Sequence, residues 1–183
     1  MSFDDVIINR RSVRAYLDKE IPRDVIEQIL HCGRLAPSAG NVQPWVFWVT
    51  QDAGTRERLV NATFIGADET AKPHVWLLQA PVLVTVCLDE GRAAAKYKER
   101  GAKIYQYQDS GAAIQNILLS AAEKGLGTCW IGSFRPAQVA EILSIPSHLE
   151  PVSMISIGYP DPERPPKLRS LLEEDQVVFW DKH

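Results

Sequence analysis

Apolar positions along the chain follow two periods, and the two alternate. Phe3, Val6, Ile7 and Ile8 recur at helical spacing over 3–9, and the basic cluster Arg10, Arg11 and Arg14 follows directly. Pro22 suits the first turn of a helix. Val25, Ile26, Ile29 and Leu30 then make the i, i+1, i+4, i+5 stripe of one buried face. That helix has to stop before Pro37, because proline disfavours helical geometry in the residue ahead of it. Small residues fill the loop that follows, from Ala36 to Asn41. The aromatic and β-branched run 45–50 predicts a strand, residues 53–64 a weaker helix, and 82–88, with almost no polar alternation, a fully buried strand. A polar stretch of mixed charge occupies 89–103. The clearest helix spans 109–124, where Ala113, Ile117 and Ala121 share a face and Gly125 and Gly127 supply the stop. Short segments follow: a strand at 128–131, a helix at 136–143 opened by Pro136, and a strand at 152–157. Four prolines between 159 and 166 exclude regular structure, and the apolar group Val177, Val178, Phe179 and Trp180 needs a surface to bury against. Helices and strands interleave, with helix pairs between strands, so the expected fold is α+β: helices packed on a sheet of four to five strands.

Composition narrows the partners. A chain of 183 residues, 45% apolar and 23% charged, suits one globular domain, or one that completes its core against a copy of itself. It buries roughly 70% of its unfolded surface and needs no covalent staples. The 20 basic and 23 acidic side chains leave a net charge of −3, which argues against a general nucleic-acid binder. Three scattered cysteines, Cys32, Cys87 and Cys129, with no CxxC, exclude a disulfide framework and a four-thiolate zinc site and point to a reducing compartment. No apolar run approaches the roughly 20 residues of a membrane span. The start, MSFDDVIINRR, has no apolar core of a secretion signal. The expectation is a cytoplasmic protein with no membrane or nucleic-acid partner.

Several familiar chemistries are missing. A GxGxxG would need glycine at 130, which is Trp130; there is no Walker loop and no HExxH. The four histidines, at 31, 74, 148 and 183, have no ligand spacing, so no metal is expected, and Ser38 lacks a nucleophile elbow. Two basic groups remain. Arg10, Arg11, Ser12 and Arg14 lie within five residues, and Lys167 with Arg169 follows the proline run. Each group is either a solvated face or part of the forked guanidinium, hydroxyl and amine equipment that a phosphate needs. In the loop 36–44, Pro37, Gly40 and Pro44 bend the backbone while Ser38, Asn41 and Gln43 supply donors and acceptors. That loop is either a wall for a flat heteroaromatic ligand or a turn that satisfies its own backbone.

Four blocks, RRSVRAY at 10–16, RLAPSAGNVQPWVF at 34–47, DSGAAIQNILLSAAEKGLGTCWIGSF at 109–134 and IGYPDPERPPKLRSLLEEDQVV at 157–178, together resemble the nitroreductase family of flavoproteins in its compact branch. The resemblance implies one domain over 1–183, a mostly antiparallel sheet and an interlocked homodimer that binds FMN at the subunit interface. It implies that a C-terminal arm, about 160–183, packs on the partner. Arg10 and Ser12, with Arg11 and Arg14 close by, correspond to residues at the FMN phosphate and ribityl chain, and Lys167 and Arg169 to the C-terminal basic pair at the phosphate. Pro37, Ser38 and Ala39 correspond to a segment that reaches the flavin from the other subunit, with Asn41 and Gln43 near it. Trp130, Ile131 and Gly132 correspond to a loop beside the ring. Where some relatives place an asparagine at the pyrimidine edge, this chain has Lys72, Pro73 and His74. The implied activity is reduction of nitroaromatic, quinone or similar acceptors by NADH or NADPH in a ping-pong cycle, with the chemistry carried by FMN and no catalytic side chain. A flavin-binding or redox-sensing protein with little turnover is the alternative, because a short chain leaves less material for a substrate lid; a dimeric domain with no ligand is the third reading.

Overall fold

Four strands, β1 (Trp45–Thr50), β2 (Val82–Asp89), β3 (Gly127–Ile131) and β4 (Leu149–Gly158), form one antiparallel sheet in the order β1-β2-β4-β3. The structure is a computed structural model that describes residues 2–181. Met1, at the head of the leader reading, and residues 182–183, at the end of the expected arm, lie outside the described residues. The unbroken apolar run of β2 follows from its central place, covered on both faces. Val82, Val84 and Val86 point one way, with Ile155 and Ile157 of β4, onto α2 (Arg23–Arg34) and α5 (Gln106–Glu123) through Ile26, Ile29, Ile114 and Ile117. Leu83, Ile131 and Met154 point the other way, onto Leu59 and Val60 of α3 (Ala53–Asn61) and Val139 of α6 (Pro136–Leu143). The sheet is therefore the middle of three layers.

The N-terminal helix α1 (Phe3–Asn9) opens with a capping box between Ser2 and Asp5. After it, residues 10–16 run along the outer edge of β3. Ser12 bridges Thr128 in parallel, and the Val13 amide donates to the Thr128 carbonyl at 2.9 Å. The Tyr16 hydroxyl pins this segment by donating to the Val13 carbonyl at 2.7 Å, with Ser156 Oγ also 2.7 Å away. Gly127 is required there, since a Cβ would stand 2.7 Å from the Val13 side chain.

Two predicted segments differ. The polar stretch after β2 is helical, as a solvated helix there requires, but as a hairpin rather than one helix: α4 (Glu90–Arg100) is interrupted at Lys98 (φ 48°, ψ −137°), and a π-turn, Gly101–Tyr105, leads into α5 three residues earlier than the apolar periodicity starts. Gly101 lies so close to the Ala93 carbonyl that a Cβ would approach its oxygen to 2.2 Å, and the Tyr97 and Tyr105 rings meet edge-on at 5.2 Å. Val177, Val178 and Trp180, expected to bury themselves, stay 41–82% exposed. From Leu168, 88% exposed, to Trp180, 82% exposed, the tail presents apolar side chains to the outside. Among the described residues no helix is long and apolar enough to cross a membrane.

Candidate functional site

The first basic group forms where α1 ends. The last carbonyls of a helix lack partners within it, and the Arg11 guanidinium takes up two of them, donating to the carbonyls of Ile8 and Arg10. Part of Arg11's role is thus structural. The Arg10 carbonyl also accepts from Arg169 Nη2 at 2.7 Å, which draws the C-terminal segment back to the start of the chain. Beside Arg10 lies a cavity of about 230 Å³ lined by Val6, Arg10, Arg11, Gly127, Thr128 and Pro166, among others, with Lys167 and Arg169 exposed in the segment that follows Pro166. Burial, then Arg169 and Arg11, press the Arg10 pKa downward. Among the described residues no carboxylate pairs with Arg10, Arg11, Arg14, Lys167 or Arg169. Crowded guanidiniums without counter-charge, Arg10 and Arg11 half-buried and Arg14 and Arg169 exposed, attract an anion. Cys129 is buried within reach of the same cations: burial pushes its thiol pKa up, while Arg14, Ser12 and Arg10 pull it the other way.

Arg14 continues the cluster toward the far end of β3. Its guanidinium lies 5.9 Å from the Trp76 ring, whose neighbour His74 approaches it at 6.0 Å. His74 Nε2 and Ser133 Oγ are 2.9 Å apart, so the turn before β2 is tied to the residue after Gly132. Burial, and then Arg14, hold His74 below the usual imidazole range. Ser133 escapes sequence reasoning because it lies 59 residues from His74; adjacency to Gly132 is its one local signal.

Trp130 and Ile131 are the last two residues of β3, opposite Ile155 and Met154, as the strand expected at 128–131 and their aromatic and β-branched side chains require; the loop that the resemblance implies for them is corrected and begins only at Gly132. Trp130 is 45% exposed and donates its indole N–H to Ser153 Oγ at 2.8 Å. Gly132 is the first residue beyond the strand.

The loop 36–44 is tightly built. Ala39–Asn41 is a 3-10 turn, and Gly40, Asn41 and Gln43 all have left-handed backbones (φ 56°, 59° and 49°). Ser38 Oγ accepts from the Gln43 amide at 3.0 Å, and Gln43 Nε2 donates to Asn41 Oδ1 at 3.3 Å, so these polar groups partly serve the turn itself. The loop feeds β1, whereas the Arg10 cluster lies along β3. These are opposite edges of the sheet, separated by three inter-strand steps, about 14 Å. The chain therefore brings together Arg10, Arg11, Ser12, Arg14 and Arg169 but does not bring Pro37, Ser38, Ala39, Asn41 or Gln43 to them.

Residues 7–159 match the sequence profile of the Nitroreductase family. A relative from Archaeoglobus fulgidus, provisionally named NADH dehydrogenase/NAD(P)H nitroreductase, is 35% identical over 163 residues, 87% of this chain and 86% of its own. A 4-nitrobenzoate reductase of a Nocardioides species is 30% identical and covers 98% of this chain and 91% of its own. Among solved structures, an FMN-dependent nitroreductase of Clostridium difficile superposes with a TM-score of 0.79 at 26% identity, over 98% of this chain and 99% of that one. The matched span runs from α1 to the residue after β4, through the whole sheet and the edge segment that carries the cations, and the chain belongs to the nitroreductase family.

Proposed function

We propose that the protein is a homodimeric, FMN-dependent oxidoreductase that uses NADH or NADPH to reduce nitroaromatic, quinone or similar small-molecule acceptors. The observation that carries this reading is the group of guanidiniums around Arg10 with no carboxylate partner among the described residues, which fits a phosphate dianion. In this reading Arg10, Ser12 and Arg169 hold the phosphate, with Arg11 and Lys167 adding positive charge and Arg14 standing toward the ring. Gly132, Trp130 and Ile131 lie beside the ring. Pro37, Ser38 and Ala39, with Asn41 and Gln43 near them, come from the other copy, which accounts for their place at the opposite sheet edge. The A. fulgidus, Nocardioides and C. difficile relatives, by their names, support the donor, the acceptor class and the cofactor respectively.

When bound, FMN supplies the hydride and electron chemistry, with nicotinamide donor and acceptor alternating in a ping-pong cycle. The chain's own part is to bind and orient: its cations neutralise the phosphate, and the rigid end of β3 fixes one wall. Apolar side chains exposed on α1 (Phe3, Ile8) and along the tail (Leu168, Leu171, Leu172, Trp180) support a homodimer in which the arm beyond about residue 160 packs on the partner. Free Cys32, Cys87 and Cys129 support a cytoplasmic, reducing setting.

Anaerobic mixing of the FMN-loaded protein with NADH or NADPH tests the reading. The expected result is loss of the visible flavin band, restored by a nitroaromatic or quinone. A band unchanged by both donors would overturn it, and reduction with no acceptor-dependent turnover would favour flavin holding or redox sensing instead.

A further inference from the structure

Residues 38–43 hold three left-handed backbones within four positions, and among the described residues the side chains that hydrogen-bond the loop from outside it, Arg92, Lys96 and Asp109, come from the α4–α5 hairpin. The first residue of a helical turn has an amide with no partner inside the turn, and the residue before it ordinarily caps with its side chain. Ser38 stands in that position, but its Oγ is occupied by the Gln43 amide. Asp109 of α5 takes its place: both carboxylate oxygens lie 3.1 Å from the Ala39 nitrogen, across 70 residues of sequence. Asp109 is only 9% exposed, and among the described residues no cation pairs with it. Lys96 Nζ donates to the Gly40 carbonyl at 3.1 Å and Arg92 to the Gln43 carbonyl at 3.0 Å, both from exposed positions on α4.

We infer that Asp109 is a positioning residue: by capping the Ala39 amide from α5, it holds the loop 38–43 in the shape that meets the flavin of the partner subunit. This rests on the FMN reading above. A buried carboxylate with a single backbone donor is an expensive choice for packing alone, and burial raises its pKa while the Ala39 amide opposes that rise. An apolar residue at this helix position would serve the core as well but would leave Ala39 uncapped.

The test compares Asp109→Ala and Asp109→Asn with wild type in two measurements. In FMN-free protein, amide exchange across residues 39–43 is expected to accelerate about tenfold in Asp109→Ala, the factor that follows from one lost hydrogen bond to a charged group. The FMN Kd, read by quenching of FMN fluorescence, is expected to rise by a similar factor. Asparagine retains an acceptor oxygen and is expected to restore both readouts to within about threefold. Exchange equal to wild type overturns the inference, and so does faster exchange with an unchanged Kd. Wild-type protein that takes up no FMN would overturn the flavin reading instead, a different result from a variant that matches an FMN-binding wild type. If Asp109→Ala does not fold, Ala39→Pro removes the donor and leaves Asp109 in place. Ser38 (φ −141°, ψ 151°) already has the extended backbone that precedes proline. The same two shifts are expected, and their absence again overturns the inference.

Discussion

Arg10 is pressed by burial and by two like charges, Arg169 and Arg11. A guanidinium does not escape by losing its proton, so the repulsion persists until an anion arrives. Replacing one cation should therefore act with opposite signs on the two forms of the protein. Arg169→Ala is expected to weaken FMN binding by about 1.5–3 kcal/mol, roughly 10- to 100-fold. It should also diminish the thermal stabilisation that added FMN provides, while leaving the FMN-free melting temperature equal or slightly raised. Fluorescence titration and paired melts check both; an unchanged FMN affinity would remove Arg169 from the site. His74 gives a pH test in the same neighbourhood. Its folded pKa is lowered, first by burial and then by Arg14. The unfolded chain thus takes up a proton near pH 6.5 that the folded chain resists. The stability held above that value is lost as pH falls toward the folded pKa. Asp109, with a raised pKa, has the opposite sign and loses stability as pH climbs through the carboxylate range. Melts from about pH 7.5 to 5.5 are expected to fall less steeply in His74→Asn than in wild type. Equal slopes would show that His74 titrates normally.

Elements differ in how far they announce themselves along the chain. The stripe Val25, Ile26, Ile29 and Leu30 marks α2 because half of that helix faces the sheet, and the run in β2 marks a strand covered on both sides. The hairpin after β2 is less legible, since what shapes it is a fit between backbones. Gly101 sits against the Ala93 carbonyl, and no periodicity encodes such a contact. Gly101→Ala is expected to cost about 1–3 kcal/mol in urea unfolding, because a backbone oxygen cannot swing aside as a side chain can. Faster amide exchange in α4 should accompany it, and a stability equal to wild type would mean that the hairpin packs otherwise. The same distinction runs through the candidate site. Arg10, Ser12 and Arg14 stand out as a local cluster, and resemblance to a family ties them to Arg169. Asp109 and Ser133 matter through partners 70 and 59 residues away, and neither carries a local pattern. Family correspondence alone puts Trp130 and Ile131 in a loop, whereas their own side chains predict the strand that they form.

At the scale of the whole molecule, the proposed flavin site calls for a second copy. The chain's cations line one edge of the sheet and the loop 36–44, proposed to meet the flavin, precedes the other, so a site that uses both needs two copies. The tail offers a means of joining them. Leu171, Leu172, Val177 and Trp180 are exposed in the protomer, and each such side chain is worth up to about 1.5–3 kcal/mol when fully buried. Ending the chain after Arg169 keeps both C-terminal cations and removes this apolar stretch. The 183-residue chain is expected to sediment as a dimer at micromolar concentration, and the shortened chain to shift toward monomer and lose FMN in parallel. The parallel loss is the informative part, because the shortened chain retains every cation of its own cluster and lacks only a stable second copy to supply Ala39 and its neighbours. A shortened protein that stays dimeric with full FMN content would show that the tail is dispensable and that the exposed apolar positions of α1, Phe3 and Ile8, suffice to hold the pair. A shortened protein that becomes monomeric yet keeps FMN would show that the site is complete in one copy, and the loop before β1 would then need another role.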